Sequence, residues 1–215
     1  HPMPHTVPNP DDFKRLAAGG ANLVPMVRRL LSDQLTPVLA YRRLVGPDER
    51  MAASFLLESV VGGDRIARYS FLGARPIAQV IAHGHSVRYV DARDATKSRT
   101  YESDDPLSEM KRLTGEWTVA KVDGLPEFTG GWVGFAGYDT VRYLEGEKLP
   151  TPPPDDRGLP DMQMGLYKSM VAFDHAQKTV LVMTHVLVDE HASLDDAYAA
   201  GKRELNELVA LIERP

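Results

Sequence analysis

The sequence contains no cysteine among its 215 residues. This absence excludes disulfide bonds, thiolate metal sites and cysteine nucleophiles, so any chemistry must come from other side chains. It also fits a reducing compartment, and we therefore predict a cytoplasmic location.

Long apolar runs and basic runs are also missing. The apolar runs, such as those at 54–57 and 180–183, are all far shorter than the roughly 20 residues that cross a bilayer. The chain has 25 basic and 30 acidic residues, a net charge of -5, and no cluster of Lys or Arg that could follow a phosphate backbone. We therefore predict neither a membrane nor a nucleic acid as partner.

The glycine-rich segment near the middle of the chain lacks the nucleotide-binding patterns. Neither G-x-G-x-x-G nor G-x-x-x-x-G-K-[ST] fits its glycines. Glycines at this density in a strand are typical of close backbone approach or of bends. They are Gly130, Gly131, Gly134 and Gly137.

Nucleophilic and metal sites have little support. Ser59 does not lie in G-x-S-x-G, and no His and Asp pair can be matched to it. His83 and His85 flank a glycine, which favours a turn with two polar residues, because a metal site needs three or four ligands.

The hydrophobic pattern predicts an α+β fold of mostly antiparallel sheets with flanking helices. Hydrophobic residues make up 43% of the chain, enough for a substantial core. A capping residue followed by proline predicts helices at Asn9-Pro10 and Thr36-Pro37, and Ser193 begins a long helix. Alternating apolar residues predict strands at 51–60, 69–72, 77–82 and 86–90, and an apolar hairpin of 162–173 with 179–188.

The polar stretches between these elements set the predicted organisation. Residues 1–12 are interpreted as a tail, a cloning remnant or the product of trimming, that leads into the first helix. Residues 13–215 form the predicted domain, in which 91–105 is a surface loop and 149–160 a proline-rich connector.

A polar pair ends the predicted strand at 51–60. Glu58 and Ser59 follow an apolar run that is typical of a buried strand, where an unsatisfied hydroxyl costs about 1–3 kcal/mol and a charge costs more. With the nearby Arg68 they are the best candidates for a polar site. The alternative, a strand-end carboxylate paired with a neighbouring arginine, stays open.

Several ordered motifs resemble one enzyme family. They are Phe-Leu-Leu-Glu-Ser at 55–59, Gly-Gly-Asp at 62–64, Arg-Tyr-Ser-Phe-Leu-Gly at 68–73 and Gly-Gly-Trp-Val-Gly-Phe-Ala-Gly-Tyr-Asp-Thr-Val-Arg-Tyr at 130–143. Together they resemble the N-terminal region of anthranilate synthase component I, a member of the chorismate-utilising enzymes. The fold expected from the resemblance is the N-terminal half of that family's α+β fold.

The resemblance also implies an activity for the full subunit. That subunit converts chorismate to anthranilate and pyruvate in tryptophan biosynthesis, with Mg2+ and with ammonia from a glutamine amidotransferase partner. The resemblance places the catalytic residues and the Mg2+ ligands in a C-terminal half beyond Pro215. We therefore expect this fragment alone to be inactive, to hold no cofactor, and to self-associate through exposed strand edges.

For this chain itself the resemblance implies one property, feedback inhibition by L-tryptophan. It assigns Leu57, Glu58 and Ser59 to the tryptophan site, and Arg68 matches the family's basic residue downstream. A zwitterionic amino acid needs an acceptor for its ammonium group, a donor for its carboxylate and an apolar slot for its indole. The expected roles are therefore Glu58 for the ammonium, Ser59 for a polar contact and Arg68 for the carboxylate.

Two other functions remain open at this point. The related aminodeoxychorismate synthase component I, of the folate branch, shares much of the matching region. A free-standing amino-acid-binding module is the other alternative, and it predicts tight tryptophan binding by this chain alone.

Overall fold

The structure is a computed structural model that describes residues 6–31, 35–46, 53–58, 68–151 and 154–214. The helices are α1 (Pro10–Ala18), α2 (Pro37–Val45), α3 (Glu109–Thr114), α4 (Arg142–Glu145) and α5 (Leu194–Ile212). The strands are β1 (Thr6–Val7), β2 (Leu23–Leu31), β3 (Ser54–Glu58), β4 (Tyr69–Ala74), β5 (Ala78–His83), β6 (Ser86–Asp91), β7 (Arg99–Glu102), β8 (Gly131–Ala136), β9 (Met162–Tyr167), β10 (Ser169–Asp174) and β11 (Thr179–Leu187).

The predicted capping residues begin the three longer helices. Each cap side chain accepts a hydrogen bond from the backbone N–H three residues later, which satisfies a donor that the helix itself leaves unpaired. The pairs are Asn9 with Asp12 at 2.9 Å, Thr36 with Leu39 at 3.2 Å and Ser193 with Asp196 at 3.1 Å.

The first compact unit comprises His1–Arg75, Trp117–Gly131 and Tyr167–Pro215. Its six-stranded sheet has the order β1-β2-β11-β10-β4-β3, with antiparallel neighbours throughout. Helices α1, α2 and α5 pack against this sheet. Apolar side chains of the sheet and of these helices form its core, among them Phe13, Val24, Met26, Leu72, Phe173 and Leu205.

The second compact unit comprises Pro76–Glu116 and Trp132–Leu166. Its five-stranded sheet has the order β7-β6-β5-β9-β8. The core of this unit contains Val80, Ala82, Val87 and Met162, with Tyr101 and Trp132 packed against them. The sheets and flanking helices of the two units confirm the predicted α+β class.

The prediction of a surface loop at 91–105 was wrong. Part of that segment is β7, which pairs with β6, and Ala95–Lys97 forms a short 3-10 helix. The charged residues concealed the strand, but Tyr101 packs toward the core and donates a hydrogen bond to the buried Glu109 at 2.7 Å. Tertiary packing therefore outweighed the polar composition.

The prediction of one strand at 162–173 was also wrong. The segment forms two strands, β9 in the five-stranded sheet and β10 in the six-stranded sheet, separated at Lys168. A continuous apolar run is typical of strands in either sheet, so its pattern does not mark where the chain leaves one sheet for the other.

In the described part of the chain, no helix is both long and apolar enough to cross a membrane.

Candidate functional site

The residues predicted to form a polar site lie at one end of neighbouring strands. Leu57 and Glu58 end β3, and Arg68 directly precedes β4, which pairs with β3. Ser59 lies outside the described residues. Two further residues, Asp174 at the end of β10 and the adjacent His175, meet the start of β4 at the same end of the sheet.

Glu58 does not occupy the buried position that its apolar neighbours predicted. β3 is the last strand of its sheet, and the Glu58 side chain is exposed. The prediction that its carboxylate is buried was therefore wrong, and no large desolvation cost applies to it. Among the described residues Glu58 has no ion-pair partner, and the nearby Arg68 pairs with Asp174 instead.

Ser70 lies directly opposite Glu58 in the ladder between β3 and β4. Its side chain is buried, and its Oγ lies 2.8 Å from Nε2 of His175. Because directly opposed residues point to the same face of a sheet, Glu58 and Ser70 share one face. The Ser70 hydroxyl therefore lies beside the candidate site and already has a hydrogen-bond partner.

Arg68 pairs with Asp174 rather than with Glu58. The Arg68 Nη2 donates to Oδ2 of Asp174 at 2.9 Å, and its Nε lies 3.2 Å from the same oxygen. The Arg68 side chain is 51% exposed, whereas that of Asp174 is 3% exposed. Burial acts to raise the pKa of Asp174, but hydrogen bonds from Arg68 and from two backbone N–H groups hold it below its usual value.

Asp174 also closes the turn that follows β10. Its Oδ1 accepts hydrogen bonds from the backbone N–H groups of Ala176 and Gln177, both at 3.1 Å. Sequence reasoning missed Asp174 as a site residue, because an aspartate at a hairpin turn is most simply interpreted as a turn former. The sequence does place an arginine before one strand and an aspartate after another. It does not show that these two strands pair, so it does not indicate that the two side chains meet.

The opposite face of the same strands is aromatic. Leu57 is 50% exposed and lies directly opposite Phe71. The ring of Phe71 stacks on Tyr69 at 5.6 Å between centroids and meets Phe128 edge to face at 5.3 Å. These side chains form a partly exposed apolar surface beside the end of β3.

The outer edge of β3 lies between the two faces of the sheet. The N–H of Arg75 donates to the Ala53 carbonyl, which fixes the alternation of hydrogen-bonded pairs between β3 and β4. It follows that the backbone N–H and C=O groups of Leu56 and Glu58 point away from β4. Since Leu57 and Glu58 point to opposite faces, a small ligand that contacts both must pass this edge or the end of the strand.

The glycine-rich segment permits close backbone packing, as its composition predicted. A β-carbon on Gly130 would lie 2.8 Å from the Tyr167 carbonyl oxygen and 3.0 Å from the His185 ring. The His185 Nδ1 donates to the Lys168 carbonyl at 3.1 Å, and its Nε2 lies 3.2 Å from the Thr129 hydroxyl. Burial lowers the pKa of His185, so the ring is neutral at pH 7.

A separate cavity lies within the second unit. Its volume is about 750 Å³, and its walls include Phe135, Tyr138 and Arg142. Arg142 donates to Asp139 at 2.7 Å and to the Pro150 carbonyl at 2.7 Å, so it takes part in local structure.

The two histidines of the predicted turn do not form a metal site with their neighbours. His83 ends β5, and His85 follows the turn at Gly84, with its Nδ1 2.9 Å from the Ser103 carbonyl. In the ranges that the structure describes, no three His, Asp or Glu side chains are arranged to hold a metal ion.

The chain is similar to known proteins over most of its length. A family profile described as chorismate binding enzyme matches residues 53–211. Anthranilate synthase alpha subunit 1, chloroplastic, of Oryza sativa subsp. japonica is 45% identical over 204 residues, which are 92% of this chain and 35% of that protein. Anthranilate synthase component 1 of Pseudomonas aeruginosa is 34% identical over 207 residues, 96% of this chain and 40% of that protein. The chain thus spans well under half the length of these relatives.

A solved structure supports the fold. The crystal structure of anthranilate synthase component I from Streptococcus pneumoniae TIGR4 matches 86% of this chain and 37% of its own, with a TM-score of 0.53 and 24% identity. At that identity the likeness concerns the fold alone, and it agrees with the antiparallel sheets and flanking helices described above. Because the profile covers most of the sequence and the relatives agree with it, the chain belongs to the family of chorismate-binding enzymes.

Proposed function

We propose that this chain is the N-terminal regulatory and partner-docking region of an anthranilate synthase component I. The whole subunit would convert chorismate and ammonia to anthranilate and pyruvate, with Mg2+ held elsewhere in the polypeptide, and L-tryptophan would inhibit it. The relatives named above are anthranilate synthases, which favours this function over aminodeoxychorismate synthesis. Since the plant relatives are named as chloroplastic, the cytoplasmic location stays a prediction.

The observation that carries the regulatory role is the end of β3 and β4. An exposed carboxylate, a half-exposed guanidinium and a partly exposed aromatic surface lie at neighbouring positions there. These are the three chemical features that an aromatic zwitterion requires. The effector would lie at the shared end of β3 and β4, with its ammonium at Glu58, its carboxylate at Arg68 and its ring against Leu57 and Phe71.

Inhibition of the complete enzyme tests this role. The rate of anthranilate formation would be measured against L-tryptophan concentration for the wild type and for Glu58→Gln. Loss of the carboxylate should raise the half-inhibiting concentration about ten- to hundred-fold, since a charge-assisted hydrogen bond contributes about 1.5–3 kcal/mol. Glu102→Gln, at an exposed strand end of the second unit, is the matched control and should leave inhibition unchanged. Equal inhibition of the wild type and Glu58→Gln would contradict the site.

The docking role concerns a glutamine amidotransferase that supplies ammonia. The second unit exposes Phe135, Tyr138 and Leu144, which are 47%, 91% and 69% exposed. Exposed apolar side chains in a group are typical of interaction surfaces. Replacement of Tyr138 by serine should weaken the complex with the amidotransferase in analytical ultracentrifugation, while Leu31→Ser, an exposed apolar residue of the first unit, should not.

A further inference from the structure

We propose that Asp174 is a positioning residue of the effector site, which holds one edge of the Arg68 guanidinium so that its other edge binds the α-carboxylate of the effector. This inference rests on the proposed tryptophan site and extends it to a residue 106 positions away from Arg68 in the chain.

The contact between the two side chains uses a single edge of the guanidinium. Both the Nε and the Nη2 of Arg68 point at Oδ2 of Asp174, at 3.2 and 2.9 Å. A guanidinium has five N–H donors in a fixed planar fork, so this side-on contact leaves the edge formed by Nη1 and Nη2. Among the hydrogen bonds between described residues, none involves Nη1 of Arg68, and Nη2 contacts only Asp174.

Two further features restrain the guanidinium. Asp174 is itself fixed, because its Oδ1 accepts two backbone N–H groups of the turn and its side chain is buried. The Arg68 guanidinium carbon also lies 4.9 Å from the centroid of the Tyr69 ring. A donor that is held in place before binding loses little conformational entropy when the ligand arrives.

This arrangement suits a carboxylate that belongs to a zwitterion. The remaining edge can donate two parallel hydrogen bonds to a carboxylate, which a lysine could not do while also contacting Asp174. Asp174 and Glu58 together outweigh the single positive charge of Arg68, so the site disfavours a doubly negative ligand. The site should therefore select an amino acid over a dicarboxylate.

The experiment uses the complete enzyme that contains this chain. The half-inhibiting concentrations of L-tryptophan and of tryptamine, which lacks the carboxylate, would be measured for Asp174→Asn, Arg68→Gln and the double variant. Asp174→Asn should raise the value for tryptophan about ten-fold and that for tryptamine less than about two-fold. If Asp174 acts through Arg68, the double variant should match Arg68→Gln alone, because the two residues form one unit.

Two further variants complete the experiment, one as a control and one as an independent change at Arg68. Asp94→Asn removes a turn-capping carboxylate that contacts Thr96 and not Arg68, and it should change neither value. Arg68→Lys leaves the turn intact, so it remains informative if Asp174→Asn folds poorly, and it should also weaken inhibition by tryptophan more than by tryptamine.

The other possible results of this experiment would each contradict one part of the proposal. Equal shifts for tryptophan and tryptamine, or a double variant weaker than Arg68→Gln, would mean that Asp174 only forms the turn. Tryptophan inhibition that is unchanged in Arg68→Gln would overturn the carboxylate assignment together with this inference. A wild-type enzyme that tryptophan does not inhibit would overturn the proposed function itself.

Discussion

Gly134 lies so close to the backbone of Gln163 that a β-carbon on Gly134 would collide with the Gln163 carbonyl oxygen. The same β-carbon would also lie 2.8 Å from the Met164 Cα. Both obstacles are backbone atoms of β9, which cannot rotate away as a side chain could. The contact explains why the edge strand β8 has glycine at this position.

Gly134→Ala should destabilise the protein. We expect a loss of about 1–3 kcal/mol, since overpacking of a close contact forces the backbone to shift. Urea unfolding monitored by circular dichroism measures the change. Gly146→Ala is the control, because a β-carbon there meets nothing within 4 Å and should be neutral or slightly stabilising. Equal stability of the two variants would contradict the close approach of β8 and β9.

Leu205→Ala should remove a central part of the core beneath α5. Leu205 is fully buried, and truncation of such a side chain costs about 2–5 kcal/mol because it leaves a cavity. Leu31→Ala removes the same atoms at a 65% exposed position and should change stability by less than about 0.5 kcal/mol. Thermal unfolding of both variants compares them directly, and similar melting temperatures would show that α5 does not pack as described.

Protonation of His185 should lower stability in mild acid. Burial depresses the pKa of the folded His185 below its ordinary value of 6.5, so the unfolded chain binds the proton more readily. The stabilisation is present above the unfolded pKa and is lost as the pH falls from about 6.5 toward the folded pKa.

Urea unfolding at a series of pH values between about 7.5 and 5.5 measures this effect for the wild type and His185→Gln. The variant should be less stable at pH 7.5 but lose less stability on acidification. A parallel pH dependence of wild type and His185→Gln would contradict a buried neutral ring.

Ser59→Phe should abolish inhibition by L-tryptophan in the complete enzyme while anthranilate formation continues. Ser59 follows Glu58 directly, and a phenyl ring adds volume and removes a hydroxyl beside the proposed ammonium site. The measurement is the inhibition curve, with Thr100→Phe on the exposed side of β7 as control. An unchanged curve for Ser59→Phe would exclude the serine from the site.

Local signals in the sequence were sufficient for most elements. The capping residues Asn9, Thr36 and Ser193 predicted where α1, α2 and α5 begin, because a cap acts on backbone groups within the next turn. The alternation around Gly84 likewise predicted the hairpin of β5 and β6. Such signals act between residues that are close in the chain, so they can be recognised without the fold.

The errors arose where a residue's environment depends on distant segments. Lys168 marks the passage between two sheets, and nothing in the apolar run around it distinguishes them. The exposure of Glu58 depends on which distant segments cover the end of β3, since Phe55 of the same strand is buried. Strand order is a long-range property, because it depends on which distant segments pair.

The sequence by itself determined the helix starts, most strands and the polar candidates Glu58 and Arg68, since these follow from residue chemistry and local spacing. Only the tertiary structure decided the partners of those candidates. The pairing of β4 with β10 brings Arg68 to Asp174 across 106 positions of the chain, at 2.9 Å. An ion pair of that kind needs two strand ends to meet, and folding alone brings them together.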